Sequence, residues 1–202
     1  GVVVRDKNGD YVILNGNQTG CILEYYILKE KKNTGTLPQN AAIVKTIVTT
    51  DLQDVIAHDF GVKVFNVLTG FKYICQKMRQ FDTENNYTYV YGGEESYGYL
   101  VGTLARDKDS VSAALMIAEC CAFLAAKGST VLDLLDEIYE KYGLYLDELE
   151  TREIKGLSGK DLILKIMEYF RNNSLSSIGG IEVAKRVDYE NERIPDAEGS
   201  PY

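Results

Sequence analysis

Two short runs of strand-forming residues, 2–4 and 11–14, flank the polar stretch Asp6-Lys7-Asn8-Gly9-Asp10, a pattern that predicts a β-hairpin. Apolar positions then fall at helical spacing, with Ile22, Leu23, Tyr26 and Ile27 on one face, so a helix is expected over 20–32 behind a turn at 15–19. After the connector 33–40, which holds Gly35 and Pro38, strand and helix patterns alternate. Strands are predicted over 41–48, 62–67 and 87–91, and helices over 51–60 and 71–81.

Residues 97–103 are expected to return as a short antiparallel strand, because their connection is too short for a crossover. A long helix capped by Asp109 or Ser110 runs to Lys127 and ends at Gly128, and Thr130 opens another over 131–142. A weak strand pattern over 145–154 and an amphipathic helix over 158–170, with Leu162, Ile166 and Phe170 on one face, follow. The end is polar and acidic, apart from a strand-like run at 181–183.

These elements predict an α/β fold: a mixed, mostly parallel sheet with helices on both faces, preceded by a hairpin and a helix. The connector sets the expected division into 1–36, 37–172 and 173–202.

Composition narrows the function. Across 202 residues the formal charge is -8, which opposes binding to nucleic acid or an anionic membrane unless a local basic patch overcomes it. The one dense basic cluster, Lys29, Lys31 and Lys32, reads as the solvated end of a helix. Cys21, Cys75, Cys120 and Cys121 have no metal-site spacing and read as free thiols of a cytoplasmic protein. His58 is the single histidine and sits in a helical pattern away from any nucleophile.

Candidate chemistry gathers after the predicted strands, at the sheet edge where α/β proteins bind ligands. Residues 91–98 read Tyr-Gly-Gly-Glu-Glu-Ser-Tyr-Gly, so acceptors and a hydroxyl suited to vicinal sugar hydroxyls follow a strand directly. Arg106 and Lys108, soon after, suit an anionic group such as phosphate. Thr69-Gly70 opens a helix whose free amides favour an anion, and Lys45 flanks the first strand of the alternation. The bland reading of each is a polar turn, a helix cap or a solvated charge. Together they point to a sugar phosphate.

In order, Val44-Lys45-Thr46, Thr69-Gly70-Phe71-Lys72, Gly93-Glu94-Glu95-Ser96-Tyr97-Gly98 and Arg106-Asp107-Lys108-Asp109 resemble the third domain of the α-D-phosphohexomutases. The likeness runs from Gly1 to about Phe170. It implies a parent enzyme that interconverts hexose 1-phosphate and hexose 6-phosphate through a phosphoserine and a bisphosphorylated sugar, with Mg2+ as cofactor and hexose 1,6-bisphosphate as intermediate. By resemblance Glu94 and Ser96 hold the sugar, and Thr69 and Gly70 help distinguish its two orientations. Lys45 stands near the substrate, Lys108 near the transferring phosphoryl group with a part in proton transfer, and Arg106 beside them.

The family's serine loop, Asp-x-Asp-x-Asp metal loop and Arg-x-Ser-Gly-Thr phosphate loop do not occur in this sequence. The expectation is therefore a piece that is inactive alone and works with the other domains of a longer chain, holding no metal itself. Glu-Glu-Ser resembles the glucose-type branch and also the pentose-type branch. The alternative from another class is a non-catalytic α/β binding or scaffold module.

Overall fold

In a computed structural model, residues 1–148, 153–154, 156 and 159–189 are described. Four strands form the central sheet: β3 (Ala41–Thr46), β4 (Lys63–Val67), β5 (Thr88–Gly93) and β6 (Tyr99–Val101). Its order is β4-β3-β5-β6, with β3 parallel to β4 and β5, and β6 antiparallel to β5. The hairpin β1 (Val2–Arg5) and β2 (Tyr11–Leu14) precedes it, its turn held by Asp6 Oδ1 accepting the amides of Asn8 and Asp10, each at 2.8 Å.

Alternation along the strands sorts the side chains into two layers. Ala41, Ile43 and Val64 face α1 (Gly16–Asn33), α2 (Leu52–Asp59), α4 (Ser110–Ala125) and α5 (Val131–Tyr142). Ala42, Val44, Phe65 and Leu100 face α3 (Phe71–Glu84), which presents Phe71, Ile74, Met78 and Phe81. Each of those four buried side chains contributes about 1.5–3 kcal/mol. That outweighs the lack of a side-chain cap at Gly70, where α3 begins.

Pairing of β3 with β5 shifts between Ala42 and Ile43, which leaves Val90 unpaired as a bulge. Val90 and Tyr91 consequently join the same layer, and the Tyr91 hydroxyl reaches α1 to donate to the Gly20 carbonyl at 3.3 Å. The Tyr99 hydroxyl donates to the Gly16 carbonyl at 2.7 Å. Two tyrosines thus tie the start of α1 to the carboxyl end of the sheet.

Several expectations need correction. The helix expected over 20–32 begins at Gly16, because Asn15 and Gln18 form a reciprocal capping box that the turn-like composition of 15–19 concealed. No break in packing separates 1–36 from 37 onward: Ile22, Leu23 and Leu28 of α1 share one core with Ile43 of β3. Residues 1–147 form one compact unit, and the second begins at Glu148.

In the second unit, α6 (Gly159–Asn172) is helical as expected, but its large apolar residues from Leu162 to Phe170 are 39% to 58% exposed. Helical spacing identifies the apolar face without saying what covers it. The strand expected over 145–154 is absent at residues 145–148, 153 and 154, and the remainder lies outside the described residues. The run at 181–183 supplies β8 (Ile181–Glu182), paired with β7 (Ser177–Ile178).

Among the described residues no helix is long and apolar enough to cross a membrane. All four cysteines are free thiols, Cys21 and Cys120 buried and the other two half-buried. His58 is exposed.

Candidate functional site

Three loops leave the carboxyl ends of the parallel strands β3, β4 and β5, and two consecutive carboxylates tie the third to the other two. Glu94 turns toward the β4 side, where its Oε1 accepts the Gly70 amide at 3.0 Å. Glu95 turns toward the β3 side, where its Oε2 lies 3.3 Å from Thr46 Oγ1 and 3.4 Å from Thr49 Oγ1. The loop closes through Tyr97, whose φ of 68° is the left-handed region that a non-glycine residue rarely adopts. The Glu94 amide donates to the Gly98 carbonyl at 2.8 Å across the mouth of this turn.

Gly98 forms the floor. A Cβ there would stand 3.0 Å from Glu94 Oε2, 3.3 Å from Lys108 Cδ and 3.6 Å from the Phe71 ring. The missing side chain lets an acid, a lysine stem and an aromatic edge converge. Lys108 Nζ lies 5.6 Å from the centre of the Phe71 ring and 3.1 Å from Asp107, with 56% of its side chain exposed, so its charge remains open to a ligand. Ser96 and Thr69 are exposed on neighbouring loops, and Gly70 takes φ 123° to aim its amide at Glu94.

Two expected residues sit apart from this cluster. Lys45 is 1% exposed and ion-paired with Asp54 at 2.8 Å, and it donates to the Thr49 carbonyl at 3.1 Å. Its ammonium is taken up by these partners, so it fixes the loop after β3 from below. Arg106 pairs with Asp82 of α3 at 2.6 Å, both exposed, and so points along α3.

Beneath the loops lies Glu24 of α1, fully buried, with both carboxylate oxygens lacking a hydrogen-bond partner. Burial first, and the Asp54 charge second, push its pKa well above the ordinary value, against the pull of Lys45.

Sequence reasoning missed the residues that anchor the loops. Thr46, the last residue of β3, and Thr49 three residues on carry the only local signal, a pair of hydroxyls beside a strand end. Gly16 was hidden in a turn-like stretch, yet a Cβ there would collide with the Glu95 carbonyl. At the opposite end of the sheet a cavity of about 330 Å³ is lined by Tyr26, Glu30, Thr88, Val101 and Glu119. Its lining sets two carboxylates against the one Lys31 ammonium, a balance that disfavours a phosphate, so the loops remain the candidate site.

Among the described residues no group of three or more His, Cys, Asp or Glu side chains could hold a metal ion. The Mg2+ implied by resemblance finds no ligand set among the described residues.

Residues 15–142 match the model of the phosphoglucomutase/phosphomannomutase alpha/beta/alpha domain III. The phosphoglucomutase of Staphylococcus aureus strain N315 is 35% identical over 189 residues, which is 94% of this chain and 33% of that protein. That of strain MRSA252 is 34% identical over the same span. The chain thus spans about a third of the length of these relatives.

Among solved structures, a Thermus thermophilus protein assigned as a phosphomannomutase superposes with a TM-score of 0.53 at 23% identity, over 70% of this chain and 31% of that one. The pp63/parafusin phosphoglucomutase of Paramecium, in its open form, gives 0.51 at 18% identity, over 70% of this chain and 23% of that one. At such identities these two support the fold alone. The matched domain model and the Staphylococcus sequences carry the assignment: this chain belongs to the phosphoglucomutase/phosphomannomutase family and contains its domain III.

Proposed function

We propose that this chain supplies the sugar-binding loop of a phosphohexomutase that interconverts hexose 1-phosphate and hexose 6-phosphate, with glucose phosphate as the preferred substrate. The reaction would run through a phosphoserine and a bisphosphorylated sugar, both held with other domains of a longer protein, and this chain would not turn over substrate alone. One observation carries the reading: the Glu94 carboxylate and the Lys108 stem meet over Gly98 at the carboxyl end of the sheet, with Ser96 exposed on the same turn.

The chemistry of those groups suits the task. A bisphosphorylated intermediate has to be held in two orientations, and a carboxylate and a hydroxyl pair with many arrangements of sugar hydroxyls. Glu94 spends Oε1 on Gly70, which leaves Oε2 on the Gly98 side for a hydroxyl. Lys108, exposed and flexible, is placed to meet a phosphoryl oxygen. Lys45 acts in this reading through the loop it supports.

Glucose 1-phosphate titrated into the isotope-labelled chain should move the amide resonances of Gly70, Ser96, Gly98 and Lys108. Affinity on the order of 1 mM is expected, because few phosphate contacts offset the entropy of association. Movement of the Tyr26–Glu119 cavity instead, or of no resonance, would overturn the assignment. It would favour a scaffold module.

A further inference from the structure

The middle acid of the loop faces away from the ligand groups and is gripped on two sides. Glu95 Oε2 meets the hydroxyls of Thr46 and Thr49 at 3.3 and 3.4 Å, and these hydroxyls are 2.8 Å from each other. Both threonines are buried, at 0% and 3% exposure. Two hydroxyl protons serve three contacts, so two bonds form at a time. Only the carboxylate can accept from both hydroxyls at once, because it has no proton to give.

Thr49 does not move freely. Its carbonyl accepts from Lys45 Nζ at 3.1 Å, and Lys45 is held by Asp54 at 2.8 Å. On the backbone side the Glu95 carbonyl packs against Gly16, the first residue of α1, where a side chain would collide with it. The next residue of α1, Asn17, accepts the Thr50 amide through its side chain at 3.1 Å. The β3 loop, the start of α1 and the loop at 94–98 therefore meet at Glu95.

We propose that Glu95 is a positioning residue, one that anchors the loop to Thr46 and Thr49 and thereby sets the aim of Glu94 and Ser96 at a hexose phosphate. The proposal rests on the reading of this loop as the sugar site. It assigns Glu95 no contact with the sugar.

Gly70 provides the reporter, because its amide is bonded to Glu94 and has no bond to Glu95. In the ligand-free chain Glu95→Ala should shift the Gly70 amide resonance, and Glu95→Gln, which keeps an acceptor oxygen, should restore it. Thr49→Val should reproduce the shift and Thr49→Ser should not. Affinity for glucose 1-phosphate should fall roughly tenfold in Glu95→Ala and Thr49→Val, as for the loss of one charged hydrogen bond, while the urea midpoint changes little.

A Gly70 resonance and an affinity unchanged in Glu95→Ala would overturn the proposal. So would a lowered urea midpoint that Glu95→Gln fails to rescue, since that marks general destabilisation. If the unsubstituted chain shows no response to glucose 1-phosphate, the sugar-site reading fails separately, and the ligand-free Gly70 shift still decides whether Glu95 anchors the loop.

Discussion

Glu94 and Gly70, from different strand-end loops, are joined by one hydrogen bond of 3.0 Å from the Gly70 amide to the Glu94 carboxylate. The bond forms only because Gly70 takes φ 123°, a conformation that a residue with a Cβ rarely adopts. In a complete phosphoglucomutase carrying this sequence, Glu94→Ala should therefore lose both a sugar contact and the link to Gly70. A fall in kcat/KM for glucose 1-phosphate of roughly 10- to 100-fold is expected, the range for hydrogen bonds to a charged group. Ser96→Ala should lose about tenfold at most, since a neutral hydroxyl bond contributes less. Activity untouched by both changes would remove the site.

Gly98 tests the geometry from the other side. Gly98→Ala places a methyl 3.0 Å from Glu94 Oε2 and 3.3 Å from Lys108 Cδ, so one of the two must give way. Both are ends or stems of flexible side chains, and the fold should tolerate the change at a cost of about 1–2 kcal/mol. Their shared placement over the glycine should not survive. Glucose 1-phosphate affinity should drop while the melting temperature moves by only a few degrees. A Gly98→Ala chain that binds as before would show that the placement of Glu94 and Lys108 over this glycine does not govern sugar binding.

Strand and helix identity was legible because the periods are clean. Ala41 to Val44 alternate between two layers, and Phe71, Ile74, Met78 and Phe81 repeat at helical spacing. The residues proposed to face a ligand stood out in the sequence, since Glu94, Ser96 and Lys108 carry polar chemistry just past strands or before a helix. Depth was not. Lys45 reads as a strand-end cation in one dimension, and only the tertiary pairing with Asp54 and the Thr49 carbonyl shows it facing inward. The start of α1 was hidden by Gly16 and Gly20, which look like turn residues. Each is glycine because the Glu95 carbonyl or the Gln53 side chain comes too close for a Cβ. Close approach between distant segments leaves no local pattern to read.

The Lys45–Asp54 pair makes a stability prediction with a clear sign. Asp54→Ala leaves an ammonium group that is 1% exposed with the Thr49 carbonyl, the Asp51 carboxylate 3.6 Å away and 85% exposed, and the buried Glu24 carboxyl nearby. A solvated carboxylate replaces little of a buried one, because water screens it. Loss of about 3–5 kcal/mol in urea unfolding is expected, the usual result of stranding one member of a buried pair. Combining Asp54→Leu with Lys45→Met should recover most of that loss. A double variant no more stable than Asp54→Ala would show that the ion pair itself, rather than the stranded charge, sets the cost.

Glu24 makes the stability of the fold depend on pH in an unusual direction. Its carboxyl is fully buried beside Asp54 and Lys45, and burial raises its pKa well above the ordinary 4.5. The folded state therefore holds this proton at pH values where the unfolded chain has released it. Stabilisation from the retained proton is complete below the unfolded value near 4.5 and declines as pH rises toward the folded value. Within that window the slope approaches about 1.4 kcal/mol per pH unit for one proton. Glu24→Gln keeps the shape and removes the titration, so the variant should gain stability relative to the unsubstituted chain as pH rises from roughly 5 to 8. Urea unfolding of the two proteins across that range measures the difference directly. Parallel stability curves would mean that Glu24 ionises at its ordinary pH despite burial, with the Lys45 charge outweighing both burial and the Asp54 charge.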